Sequence, residues 1–213
     1  MSRRPSMTRN LLILVAVGLT AGLLSGCSAP SMPDPVDPSD AQQSEPSPGT
    51  TSNVDADGFP SCNAVKSALA PALDSLVEID PSENGVRSGS DGPELVCSWL
   101  TQETANSSPD LVQYGGVSLG ISRDPSYTEE SMEPLGWNVQ DARVSAASAW
   151  ALKVGGGYSA ADQLDATGVQ VVRDGTIVVL TSGGVVLQDI PQLASLTNEW
   201  ALGAGVTLLE LMK

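Results

Sequence analysis

Asp174-Gly175 stands between two short apolar runs, Val169 to Arg173 and Thr176 to Thr181, and no other stretch restricts the fold as tightly. A two-residue hairpin closes through a type I′ turn, which needs φ > 0 at both central positions, and Asp-Gly is one of the pairs that accept it. Turn length then sets the register, so that Arg173 faces Thr176, Val172 faces Ile177 and Val171 faces Val178. Both faces of this pair are apolar enough for central strands.

Further strands follow from alternation. Leu95, Cys97 and Trp99 share one face of a predicted strand, with Val96, Ser98 and Leu100 on the other. Val117, Leu119 and Ile121 alternate with Ser118, Gly120 and Ser122, which predicts a strand with one wet face. Helical spacing appears at both ends of this region. Ser61 is a predicted N-cap for an amphipathic helix running to Val77, kinked or split at Pro71, which lacks an N–H donor. Pro191 is expected to open the last helix, with Leu193, Leu196, Trp200, Ala204 and Leu211 as its apolar stripe. Gly203 and Gly205 interrupt it at about 1 kcal/mol each, which close approach to the sheet or a frayed surface would explain. Tyr127 to Met132 suits a helical turn, and Asp141 to Trp150 suits a helix, with a strand near 151–154 as its rival. Gly155-Gly156-Gly157 is a turn, since no Gly-Lys-Ser/Thr follows to make it a phosphate loop. The expected fold class is α+β: an antiparallel sheet of about four to five strands with an N-terminal and a C-terminal helix packed on it.

The start of the chain gives an address. Arg3, Arg4 and Arg9 precede an uncharged run from Leu11 to Leu24. Its fourteen residues make about 21 Å of helix, short of the roughly 30 Å hydrocarbon core, so it reads as an export signal and not a span. Leu24-Ser25-Gly26-Cys27 resembles the lipobox of bacterial lipoproteins at all four positions. That resemblance implies cleavage after residue 26, a diacylglycerol on the Cys27 sulfur and acylation of the new amino group; an ordinary secretory signal with a chance cysteine is the alternative. Two or three acyl chains, at about 0.8 kcal/mol per buried CH₂, would hold the protein on the membrane permanently. Residues 1–26 are thus the signal peptide.

Residues 27–58 are the lipidated cysteine and a Pro/Ser/Asp-rich tether that lacks the aliphatic residues for a core. Residues 59–213 are the single α+β domain. With Cys27 lipidated, Cys62 and Cys97 remain, an even number in an oxidising compartment, which reads as one disulfide or, failing that, as two buried thiols. A bond between them would pin the start of the first helix to the Leu95–Leu100 strand. It would stabilise the domain by about 3–4 kcal/mol in the loop-entropy account.

Pro60-x-Cys62, an amphipathic helix, a Gly/Ser-rich gap and Cys97-x-Trp99 together resemble the signature of small actinobacterial lipoproteins built on a domain of unknown function. The resemblance extends loosely over residues 59–213 to the valine-rich hairpin and the closing helix. It implies an envelope location and an α+β domain, and it supplies no established catalytic residues.

Charge and residue usage narrow the chemistry. After residue 27 the chain carries seven basic and 25 acidic side chains, a net −18, which strongly disfavours a nucleic-acid partner, since phosphate binding rests on clustered Lys and Arg. Membrane contact must therefore come through the anchor. The chain has no histidine, which removes Ser-His-Asp and Cys-His nucleophiles, imidazole metal sites and the usual neutral-pH base. Glu129, Glu130 and Glu133 form an acidic patch expected to be solvated, and Lys66, Lys153 and Lys213 adjoin no nucleophile motif. No cofactor and no metal is expected, and no catalytic residue can be named. The leading expectation is a non-catalytic envelope module that binds a protein or a small apolar ligand, with Trp137, Trp150 and Trp200 as candidate ligand-binding residues. A carboxylate-dependent hydrolase of envelope material and a structural spacer are the two alternatives.

Overall fold

The computed structural model describes residues 58–78, 80–106, 110–184 and 189–213, all within a compact unit spanning 49–213. The expected signal segment, Cys27 and the expected tether up to residue 57 lie outside the described residues. Along the chain come α1 (Cys62–Ala68), β1 (Gly85–Ser88), β2 (Pro93–Leu100), α2 (Gln102–Ala105), β3 (Gly115–Arg123), α3 (Glu129–Met132), β4 (Asn138–Val139), α4 (Ala142–Ala146), β5 (Trp150–Lys153), β6 (Val169–Arg173), β7 (Thr176–Gly184) and α5 (Asn198–Leu211).

All seven strands form one antiparallel sheet in the order β1-β2-β3-β7-β6-β5-β4. Two meanders, β1 to β3 and β4 to β7, meet along the nine-residue pairing of β3 with β7, from Gly115 opposite Gly184 to Arg123 opposite Thr176. The β6–β7 hairpin has the register that its turn dictates, with Arg173 on Thr176, Val172 on Ile177 and Val171 on Val178. Asp174 and Gly175 sit at φ 51° and 73°, as a type I′ turn requires. Seven strands replace the expected four to five. The additions at the edges are β1 and β4, one with a single aliphatic side chain and the other two residues long, both too poor in apolar pattern to read.

Register assigns the two faces. Leu95, Cys97 and Trp99 of β2, Val117, Leu119 and Ile121 of β3, and Val178 and Leu180 of β7 are all buried on one face, and Val169, Val171 and Ala151 continue it. Helix α5 packs on β6 and β7, and α1 lies against α5 and is bonded to β2 through Cys62–Cys97, with Cα atoms 5.6 Å apart. That disulfide is buried at both ends.

The other face is covered over part of its width by the crossover from β3 to β4, residues 124–137. Tyr127 stacks on Trp150 with ring centroids 5.6 Å apart and donates its hydroxyl to Gln170 at 2.7 Å. Beneath it Ile177, Val172 and Leu152 are buried. Toward β2 the same face carries Ser98, Ser118 and Thr181 in one row across three strands, all half-exposed, the wet face expected of the β3 sequence.

Helix boundaries depart from the expected ones for identifiable reasons. Ser61 caps α1 by accepting from the Ala64 N–H, but the helix ends at Ala68, because Pro71 has no N–H with which to continue the ladder, and Val77 instead bridges to Leu100 beside β2. Pro191 opens only a 3₁₀ turn, Pro191–Leu193, and α5 starts seven residues later than Pro191 at Asn198, where Thr197 accepts from the Trp200 N–H. Leu193 and Leu196 are buried ahead of the helix and not along it. Between residues 141 and 153 the rival readings are both present, a short helix α4 followed by strand β5.

Candidate functional site

The three candidate tryptophans occupy three separate places. Trp150 lies on strand β5, not on a helix, and its ring is covered by Tyr127. Trp137 is half-buried beside the glycine turn, where a Cβ on Gly156 would sit 3.5 Å from its ring. Trp200, on the first turn of α5, lines a cavity. The fourth indole, Trp99, is 1% exposed in the core, and its Nε1 has no hydrogen-bond partner among the described residues.

Trp200 borders a groove of about 480 Å³ between the C-terminal end of α1 and the outer side of α5. Trp200, Gly203 and Thr207 recur on α5 at helical spacing, so they share one flank, and Ala68, Leu69 and Ala70 form the opposite wall. Polar and apolar groups share the lining about equally, with Ala68, Ala70 and Trp200 on one side of the count and Thr197, Thr207, Arg143 and Glu199 on the other. Arg143 reaches the rim from α4, where Asp141 holds its guanidinium through two bonds of 3.1 and 2.7 Å, and Glu199 stands 3.7 Å away. The bond from Arg143 keeps the Asp141 carboxyl below the ordinary carboxylate range, so the rim carries fixed charges. Tyr158, close to the same charges, has its phenol pushed up by burial and by Asp141. A shallow groove that sets an indole beside fixed charges offers apolar and polar contacts together for reversible attachment of a partner.

Carboxylate chemistry has weaker material. Glu129, Glu130 and Glu133 are exposed on and after α3. Among the described residues no cluster of three or more metal-ligating side chains occurs. Carboxylates adjoin a concave surface in a hollow of about 130 Å³ lined by Asp91, Glu94 and Asp124, and in a cleft of about 540 Å³ beside β1 and β2 lined by Asp80, Glu83, Asn84, Arg87 and Ser98. Asp80 there accepts from both the hydroxyl and the N–H of Ser82, which hold its pKa below the ordinary value. A general acid needs a shift the other way.

One buried charge was not foreseen. Lys153, 4% exposed at the end of β5, donates to Asp165 at 2.7 Å and also to the Thr167 hydroxyl. Burial would raise the Asp165 pKa, but the bonds from Lys153 and Thr167 outweigh it and bring the carboxyl down to about 2. Asp165 also accepts the Thr167 N–H, and its carbonyl takes the Ser182 N–H, so the pair fastens the 155–168 loop to the sheet. The available signal was a lysine closing the apolar strand Trp150-Ala151-Leu152, paired with Asp165-x-Thr167-Gly168 as an Asx turn.

Compared with protein families, with characterised proteins and with solved structures, the chain matches none, so the reading of its function rests on its own residues.

Proposed function

We propose that the chain is a lipoprotein held through Cys27 on the extracytoplasmic face of the cell membrane, and that its α+β domain is a non-catalytic binding module. The disulfide supports an oxidising compartment, since a buried cystine is the usual product of export. The kinship with small actinobacterial lipoproteins belongs to the same proposal and rests on the lipobox and the Pro60-x-Cys62 and Cys97-x-Trp99 motifs. The observation that carries the binding reading is the groove at Trp200: an indole flanked by an unfilled notch at Gly203, in a helix that must tolerate that glycine. Its partner is an apolar segment of an envelope protein or a small apolar molecule. The hydrolase alternative is less well supported, because Ser82 stabilises the ionised form of Asp80 in the carboxylate-lined cleft.

Two measurements test the proposal. Intact mass of the protein recovered from host membranes should correspond to loss of residues 1–26 and gain of glyceride and acyl groups on Cys27; a bare sulfur or a retained leader would overturn the anchor. The full chain in detergent, immobilised and exposed to solubilised envelope protein and to lipid extract, should retain material that a Trp200→Ala variant does not. Equal retention by both proteins, or none by either, would remove the groove from the account.

A further inference from the structure

Strand β1 is one edge of the sheet, and its register leaves a row of backbone groups facing outward. The Gly89 N–H bonds the Gly92 carbonyl at 2.8 Å, which fixes the phase of the ladder. Hydrogen-bonded and non-hydrogen-bonded pairs alternate between antiparallel strands, so Arg87–Glu94 and Gly85–Val96 are bonded while Val86–Leu95 and Ser88–Pro93 are not. Pro93, which has no N–H, fits that phase. The N–H and C=O groups of Val86 and Ser88 therefore point away from β2, and none of them has a backbone partner among the described residues. The strand is held at both ends, by the Gly89–Gly92 turn and by Asn84, whose side chain accepts from the Ser98 N–H at 2.9 Å and donates to the Ser98 carbonyl. Sheet edges are commonly blunted by a charge, a proline, a bulge or a cover. Here the charge is Arg87, and the Glu94 carboxylate at 2.7 Å neutralises it, with Val86 exposed beside it.

The cleft of about 540 Å³ runs along this edge on the outer face of the sheet. Half-buried Val96 and Leu100 line it, and Gly85 leaves it open, since a Cβ there would meet no atom within 4 Å. Asp80 and Glu83 flank it as exposed carboxylates. Asp80 accepts from the neutral donors of Ser82, and neither carboxylate has an ion-pair partner among the described residues. Arg87 and Glu94 cancel, so the cleft is left negative. Aliphatic carbon bordered by carboxylates suits the stem and head of a lysine or arginine side chain. A strand added to β1 would direct every second side chain to the outer face, over Gly85.

We infer that β1 takes up an extended basic segment of a partner protein as an eighth strand, with a lysine or arginine side chain lying over Gly85 and reaching Asp80 and Glu83. Main-chain bonds to Val86 and Ser88 supply the attachment, and the cleft selects the side chain. The acidic balance of the chain after Cys27 draws a basic partner in. This surface shares no residue with the Trp200 groove, so either can fail without the other.

Calorimetric titration of the full chain in detergent, with two capped six-residue peptides as probes, tests it alongside residue-resolved amide exchange. One peptide alternates valine with lysine and the other valine with glutamate. The lysine peptide should bind saturably with Kd of about 1 mM or tighter, weakening as salt is raised, and the glutamate peptide should give no saturable heat. At saturation the Val86 and Ser88 amides should exchange several-fold more slowly, while the Arg87 amide, already bonded to β2, stays unchanged. Glu83→Gln should weaken the lysine peptide about two- to fivefold without moving the melting temperature of the unliganded protein. Absence of saturable binding, equal binding of the glutamate peptide, unchanged affinity in Glu83→Gln, or binding that leaves the Val86 and Ser88 amides as fast as before would overturn the inference. So would amides at Val86 and Ser88 that are slowed in the protein alone and freed on dilution, since a second copy would then hold the edge.

Discussion

Gly205 on α5 lies so close to Val171 on β6 that a Cβ added to it would sit 2.5 Å from a valine methyl, whereas one added to Gly203 would meet nothing nearer than the Arg143 guanidinium at 3.8 Å. The first glycine is a contact between helix and sheet; the second faces the Trp200 groove. Gly205→Ala should therefore cost about 1–3 kcal/mol by overpacking a core in which Val171 is fully buried. Gly203→Ala should leave stability unchanged or raise it by up to about 1 kcal/mol, because alanine restrains the unfolded chain and favours helix. Urea unfolding of both variants checks the pair of outcomes, and a Gly203→Ala protein as unstable as Gly205→Ala would contradict the open notch.

The Cys62–Cys97 bond ties α1, a helix of only seven residues, to the interior of β2. So short a helix has little intrinsic stability and depends on packing and on this tether. Replacing both cysteines with alanine should cost about 3–4 kcal/mol, which for a domain of this size lowers the melting temperature by roughly 6–15 °C. Calorimetry on the oxidised protein and the double variant measures it, and a shift of under about 2 °C would mean that packing alone holds α1 in place.

How much of this was readable from residues alone depends on where each element lies in the sheet. The β6–β7 register and the Cys62–Cys97 pairing were legible because a two-residue turn and an even cysteine count each leave few arrangements. Strand β1 was not, since Gly85-Val86-Arg87-Ser88 sits at an edge with its last three residues exposed and carries no alternation. The start of α5 was misplaced because Pro191 suits the first position of a 3₁₀ turn as well as that of an α-helix, while the true cap, Thr197, lacks a proline after it. Trp150 and Trp200 look alike in sequence, yet one is covered by Tyr127 from the crossover and the other lines a groove. That difference is set by a connection between distant strands, which no local pattern encodes.

Acid should loosen the 155–168 loop in a defined window. The Asp165 pKa is lowered to about 2 in the folded protein from an ordinary 3.8, so its contribution is complete above the ordinary value and is lost as pH falls toward 2. Its side chain is half-exposed, and screening by water reduces the contribution to on the order of 1 kcal/mol. Denaturant titrations from pH 5 to pH 2 should show a steeper loss for the native protein than for Asp165→Asn. At pH 7, Lys153→Met should cost less than Asp165→Asn, because the first removes a buried charge while the second leaves one without its counter-ion. Parallel acid limbs for the native and Asp165→Asn proteins would rule out this linkage.

Gly175 serves the crossover as well as the hairpin. Its carbonyl accepts from the Asp124 N–H at 2.8 Å, and a Cβ there would lie 2.8 Å from the Pro125 Cα at a φ of 73°. Gly175→Ala should thus destabilise by about 2 kcal/mol or more, combining left-handed strain with a backbone clash. Its neighbour is expected to behave differently. Asp174 is exposed at φ 51°, a conformation asparagine adopts with similar ease, so Asp174→Asn should keep the turn and the melting temperature. Calorimetry of the two variants checks the pair, and a fall in melting temperature for Asp174→Asn as large as that for Gly175→Ala would contradict this account of the turn.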